Sequence, residues 1–116
     1  DYVEAMWLML QQDQPEDFVI ATGKAYSVRE FLEKCLIKLE IKATSNGKQG
    51  VKEKYLDTKT NKTIVAIDPK YFRPAEVDLL IGDSSKAQKN LGWQPKVELE
   101  GLIDLMIAEE LKLYQK

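Results

Sequence analysis

One stretch decides the fold of this chain: Thr63-Ile64-Val65-Ala66-Ile67-Asp68-Pro69-Lys70-Tyr71-Phe72-Arg73-Pro74-Ala75-Glu76. Its first five residues are apolar or β-branched and predict a strand, and the prolines behind them predict a turn. The turn brings a guanidinium, on Arg73, close in sequence to a carboxylate, on Glu76. A guanidinium is well suited to hold a diphosphate, and a carboxylate accepts hydrogen bonds from ribose hydroxyls. The pattern predicts a nucleotide-diphosphate site here, and a surface salt bridge beside the turn explains the two residues equally well.

Composition narrows the class of protein. The chain has 116 residues, 44% hydrophobic and 31% charged, with a formal net charge of −2. This length predicts one domain. Its apolar runs are far shorter than the roughly 20 residues that cross a bilayer, and no secretory signal pattern opens the chain, so we expect no membrane partner. The chain lacks the basic face that nonspecific nucleic-acid binding needs, so we expect no nucleic acid either.

Cysteine and histidine usage limits the chemistry. Cys35 is the single cysteine and lies in a helical pattern, which predicts a buried structural thiol rather than a nucleophile. A lone cysteine forms no disulfide within the chain, which fits a reducing cytoplasm. Histidine is absent from the sequence, so Ser-His and Cys-His catalysis and His-ligated metals are excluded for this chain. We predict no metal site and no catalytic residue.

Helix signals occur in four places. Asp1 is the expected cap of a first helix, and Ser27-Val28-Arg29-Glu30 is a capping box that opens a second helix. The first expected helix ends near Gln11–Gln14, and the other three cover residues 28–40, 85–91 and 99–113, the third helix capped by Asp83 or Ser84 and closed by Gly92. Trp93 is expected to anchor the end of the third helix against the core.

Strand signals predict an α/β fold. The continuous apolar character of Phe18–Gly23 predicts a buried strand of a parallel sheet, and Val77–Ile81 is a further strand candidate. Tyr55-Leu56 and Thr63–Ile67 are expected to pair as a hairpin, whereas residues 43–50 are expected to form a polar loop. Thr22-Gly23 does not belong to a Gly-x-Gly-x-x-Gly dinucleotide fingerprint, so we interpret it as a strand-to-helix turn.

Several blocks of the chain resemble one enzyme family in their order and identity. The resemblance is to the GDP-mannose 4,6-dehydratases of the extended short-chain dehydrogenase/reductase superfamily, and it is weak only over residues 41–62. The blocks are Asp1-Tyr2-Val3-Glu4-Ala5-Met6-Trp7, Val19-Ile20-Ala21-Thr22-Gly23, Ser27-Val28-Arg29-Glu30-Phe31, Tyr71-Phe72-Arg73-Pro74-Ala75-Glu76-Val77-Asp78 and Leu91-Gly92-Trp93-Gln94-Pro95.

The resemblance implies a fold and a function. Residues 1–116 would be the C-terminal, sugar-nucleotide-binding part of a larger dehydratase, a small mixed sheet surrounded by helices, with most of the Rossmann domain absent. The family converts GDP-mannose to GDP-4-keto-6-deoxymannose with NADP, a step toward GDP-fucose. Arg73 would hold the diphosphate and Glu76 the ribose, while Tyr71 and Pro74 would shape the turn.

The family's NADP fingerprint and Tyr-x-x-x-Lys pair have no counterpart in this sequence, so we expect the chain alone to be inactive. The intact enzyme would be a cytoplasmic homo-oligomer, a dimer or tetramer. Two alternatives remain: a non-catalytic module that binds a nucleotide or a protein, and a fragment of a related nucleotide-sugar epimerase or reductase.

Overall fold

The computed structural model describes residues 1–75, 77 and 79–114, which form two compact units. We call Asp1–Ser27 with Asp78–Lys116 the terminal unit, and Val28–Val77 the middle unit. The terminal unit contains α1 (Tyr2–Leu10), α3 (Ser85–Leu91) and α4 (Leu99–Tyr114), and the middle unit contains α2 (Val28–Lys38), β1 (Ala43–Ser45), β2 (Lys54–Asp57) and β3 (Thr63–Ala66). Within these described residues, no helix is both long and apolar enough to span a bilayer.

The core of the terminal unit lies between α1 and α3. Ala5 on α1 and Ala87 on α3 are fully buried, and such small side chains let the two helices approach closely. Trp93 follows α3 and is 1% exposed, and its indole N–H donates to the carbonyl oxygen of Asp1 over 2.8 Å. The prediction that Trp93 anchors the end of the third helix is therefore confirmed.

Asp1 differs in part from its predicted role. Helix α1 begins at Tyr2 as expected, but the Asp1 side chain makes no capping hydrogen bond to it. Its carboxylate instead accepts from the backbone N–H groups of Lys96 and Val97, each over 2.9 Å. The predicted start of the helix is confirmed. The predicted partner of the carboxylate is wrong, because the actual partners, Lys96 and Val97, lie far along the chain.

The strands predicted at Phe18–Gly23 and Val77–Ile81 are wrong for the described residues of these segments, none of which belongs to a strand. The two segments nevertheless come together: a Cβ added to Gly82 would lie 2.6 Å from the Cβ of Ala21. The predicted burial is wrong as well, because none of the described residues of these segments is buried. A strand also needs a neighbouring backbone with which to form a hydrogen-bonded ladder. No parallel sheet is present among the described residues, which corrects the expectation from this run.

The sheet lies in the middle unit and is antiparallel, with strand order β1-β2-β3. The predicted hairpin of Tyr55-Leu56 with Thr63–Ile67 is confirmed, since Tyr55 of β2 pairs with Val65 of β3. Strand β1 corrects the prediction of a loop over residues 43–50, because Ala43–Ser45 pairs with β2 and only the residues after Ser45 are a loop. The chain thus has a small mixed α/β fold, and Cys35 is half-buried in α2.

Candidate nucleotide-binding turn

A hydrogen-bonded turn follows β3 and leads to Arg73. The backbone N–H of Tyr71 donates to the carbonyl oxygen of Asp68 over 3.1 Å, and that of Lys70 donates to the Asp68 carboxylate over 2.9 Å. Pro69 lies between these partners and fixes its own φ at a value compatible with the turn. The hydrogen-bonded turn thus spans Asp68–Tyr71 and begins before the Tyr-Phe-Arg-Pro-Ala-Glu segment in which the sequence predicted a turn.

Phe72 packs against a glycine of the loop between β1 and β2. The ring atoms Cζ and Cε2 of Phe72 lie 3.5 and 3.7 Å from the point that a Cβ on Gly50 would occupy. Gly50 has φ +58°, a conformation that glycine adopts without steric cost. A Cβ at position 50 would therefore make an ordinary van der Waals contact with the Phe72 ring, and a larger side chain would reach into the ring.

The residues predicted to form the turn differ in their exposure. Arg73 is exposed, which suits a cation that meets a ligand. Tyr71 is 73% exposed and Phe72 is 41% exposed, and the ring of Phe72 lies beside Gly50. Glu76 lies outside the described residues, so its predicted proximity to Arg73 stays a prediction.

Helix α2 holds the loop that carries Gly50 through a bidentate ion pair. Arg29 donates from Nε and Nη2 to the two carboxylate oxygens of Glu53 over 2.9 and 2.8 Å. Glu53 is 7% exposed, and the hydrogen bonds from Arg29 hold the pKa of its carboxyl below the ordinary value. Because Glu53 ends a single 3₁₀ turn (Gly50–Lys52) and its backbone N–H donates to Gly50 over 2.9 Å, the ion pair fixes that turn.

A second contact joins the same two elements. The buried Tyr55 of β2 donates its hydroxyl to the Glu33 carboxylate of α2 over 2.6 Å. Burial, followed by the hydrogen bond to Glu33, raises the pKa of Tyr55 to about 12, so this phenol stays protonated at neutral pH. Arg29 and Glu33 are four residues apart on one face of α2, and their partners Glu53 and Tyr55 are two residues apart, so the two contacts lie side by side. The sequence analysis did not predict these contacts, because the partners lie more than 20 residues apart along the chain.

The side chain of Asn46 stabilises the same loop through hydrogen bonds to its backbone. Its side-chain amide donates to the carbonyl oxygen of Lys52 over 2.9 Å, and its side-chain oxygen accepts from the backbone N–H of Lys54 over 3.2 Å. These two backbone groups flank Glu53, so Asn46 and Arg29 hold the same short segment from two sides. The loop is therefore a rigid support for Phe72.

The turn that leads to Arg73 carries one cationic side chain among its described residues 71–75. Among the described residues, no group of three or more His, Cys, Asp or Glu side chains is placed to hold a metal ion. An exposed guanidinium on a braced turn offers a fork of N–H donors to a phosphate or carboxylate.

The residues of this chain do not fit NADP. Dinucleotides bind where a parallel strand meets a helix through a Gly-rich turn, and the sheet of the described residues is antiparallel. The sequence contains no Gly-x-Gly-x-x-Gly motif.

Comparison with known proteins assigns the chain to a family. The family model described as GDP-mannose 4,6 dehydratase matches residues 1–106. The chain is 48% identical to a GDP-mannose 4,6-dehydratase of Vibrio cholerae over 126 aligned residues, which cover 100% of the chain and 34% of the relative. It is 52% identical to one of Dictyostelium discoideum (97% of the chain, 31% of the relative) and 48% identical to one of Homo sapiens (97% and 30%).

The class that these matches define is a sugar-nucleotide dehydratase. The chain belongs to the GDP-mannose 4,6-dehydratase family, as the sequence blocks predicted. It spans about a third of the length of the curated relatives that it matches.

Proposed function

We propose that this chain forms the GDP-binding part of a GDP-mannose 4,6-dehydratase, an enzyme that converts GDP-mannose to GDP-4-keto-6-deoxymannose. The observation that carries the proposal is the family match over residues 1–106, which includes the turn with Arg73. The proposed fold is the C-terminal, substrate-binding portion of an extended short-chain dehydrogenase/reductase. NADP is the proposed cofactor, bound by parts of the family's proteins that this chain does not match.

Arg73 is the residue proposed to hold the diphosphate, and Glu76 the residue proposed to accept from the ribose. The support for Arg73 is its exposure and the braced turn that precedes it. A planar fork of donors binds two phosphate oxygens at once, and its loss removes both hydrogen bonds. The support for Glu76 is its place in the Arg-Pro-Ala-Glu block alone.

Binding measurements on the full product of the gene that encodes this chain test the site. Arg73→Ala is expected to raise the Kd for GDP about 10- to 100-fold, because a hydrogen bond to a charged group contributes about 1.5–3 kcal/mol. Guanosine lacks the diphosphate, so its Kd is expected to stay unchanged. Isothermal titration calorimetry measures both constants.

Lys59→Ala provides a matched control, because it removes one exposed positive charge from the turn at the other end of the β2–β3 hairpin. GDP affinity is expected to stay unchanged in this variant. An Arg73→Ala protein that binds GDP as tightly as the Lys59→Ala protein would remove Arg73 from the site. Conversion of GDP-mannose by the full gene product with added NADP tests the reaction, and GDP binding without conversion would favour the non-catalytic module.

A further inference from the structure

We propose that the ring of Phe72, which lies beside Gly50, positions the guanidinium of Arg73. We call Gly50–Glu53 the seat of this ring, and we propose that the Arg29–Glu53 ion pair holds the seat in place. The inference rests on the proposed function, because it gives a role to side chains behind the GDP-binding turn. All the residues concerned belong to the middle unit. None of them is proposed to touch the nucleotide.

The ring of Phe72 lies next to Gly50. Phe72 directly precedes Arg73, and its ring lies at ordinary van der Waals distance, 3.5 Å, from the point where a side chain on Gly50 would begin. A ring that rests on a backbone surface fixes the direction of its own Cα–Cβ bond. The backbone that enters Arg73 is therefore defined on one side by this contact and on the other by the turn at Asp68–Tyr71.

Several hydrogen bonds hold the segment Gly50–Glu53 in place. Gly50 begins the 3₁₀ turn that ends at Glu53, and its carbonyl oxygen accepts from the Glu53 N–H over 2.9 Å. Glu53 is buried and held by both donors of Arg29, and Asn46 bonds to the backbone on each side of Glu53. A segment held by a charged pair and an amide at once keeps one position.

A fixed backbone before Arg73 favours binding of a diphosphate. A flexible arginine loses side-chain and backbone freedom when it grips a diphosphate, and a support that fixes its backbone beforehand lowers that cost. Misplacing a binding group by a fraction of its contact distance weakens the contact without removing it. Loss of the seat is thus expected to weaken diphosphate recognition alone.

A pair of glycine substitutions separates this role from general loop strain. Gly50 and Gly47 lie in the same loop with φ +58° and +71°, so a valine introduces left-handed backbone strain at either position. A Cβ on Gly47 would meet no atom within 4 Å, whereas a Cβ on Gly50 meets the Phe72 ring and the valine methyl groups extend beyond it. The two variants therefore differ in their contact with Phe72.

The experiment measures Kd for GDP and for guanosine in the full gene product. Gly50→Val is expected to raise the GDP constant about three- to tenfold, the partial loss that misplacement of a binding group produces, and to leave the guanosine constant unchanged. Gly47→Val is expected to change neither constant. In an Arg73→Ala background, Gly50→Val is expected to add no further loss, because a residue that acts through Arg73 has nothing left to position.

Phe72→Leu tests the same role if the valine variant does not fold, and it is expected to weaken GDP binding in the same direction. GDP affinities equal to wild type in Phe72→Leu and in folded Gly50→Val, with Arg73→Ala weakened, would overturn the positioning role and leave the proposed function intact. Equal losses for GDP and guanosine would also overturn it, since they indicate a general defect. Unchanged GDP affinity in Arg73→Ala would overturn both.

Discussion

Gly82→Ala and Gly101→Ala make the same chemical change and are expected to have opposite effects on stability. Gly82 does not have a positive φ, so alanine there brings no backbone strain. Its new Cβ would lie 2.6 Å from the Cβ of Ala21 and 3.2 Å from Cγ1 of Val19. Ala21 has no side-chain rotation by which to move away, so the backbone must shift. Overpacking of this kind lowers the free energy of unfolding by about 1–3 kcal/mol.

Gly101 lies in α4, where the new Cβ would be 3.5 Å from Cγ1 of Val97, an ordinary contact. Alanine is favoured over glycine within a helix by roughly 0.5–1 kcal/mol, so Gly101→Ala is expected to raise the free energy of unfolding. Urea titration followed by tryptophan fluorescence measures both values, with Trp93 as the buried reporter. A Gly82→Ala protein as stable as wild type would refute the close approach of residue 82 to Ala21, whatever Gly101→Ala does.

Two further predictions concern charge and association. Arg29 lowers the pKa of Glu53 relative to the unfolded chain, so the ion pair stabilises the fold above the ordinary value of 4.5 and loses this effect as the pH falls through the lowered pKa. Urea titrations at pH 7 and pH 4 should show a larger loss for wild type than for Glu53→Gln, and equal losses would contradict the sign. Met6 and Trp7 are 56% and 60% exposed on α1, so residues 1–116 produced alone should self-associate, as the helix pattern also suggests. Light scattering should give a lower average molar mass for the double variant Met6→Gln/Trp7→Gln than for wild type, closer to the mass of one chain. A wild-type protein that is monomeric at every concentration would contradict this prediction.

The elements predicted correctly are those that short-range signals determine. Helix α3 matches its prediction, Ser85–Leu91, because residue 92 is a glycine in the left-handed conformation, with φ +66°, that closes the helix. The β2–β3 hairpin was equally local, since Asp57 accepts from the backbone of Lys59 and Thr60 inside its own turn.

The features that sequence reasoning missed depend on partners far along the chain. Asp1 bonds to the backbone of Lys96, and Arg29 pairs with a carboxylate 24 residues away. Residues 18–23 have the composition of a buried strand, yet composition does not specify a ladder partner. For the candidate site, sequence indicated Arg73 and its turn and gave no sign of the seat at Gly50.

Gly50 lies outside the sequence blocks that carry the family resemblance, whereas the turn with Arg73 lies inside one of them. This division follows from what each part must do. A group that meets a diphosphate is restricted to few side chains, because charge and fork geometry must both match the ligand. A loop that packs against the residue before Arg73 needs only a suitable contact surface and a fixed conformation. Many loop sequences provide both. Under the proposed function, the turn with Arg73 recognises the nucleotide and the loop with Gly50 fixes the geometry of that recognition.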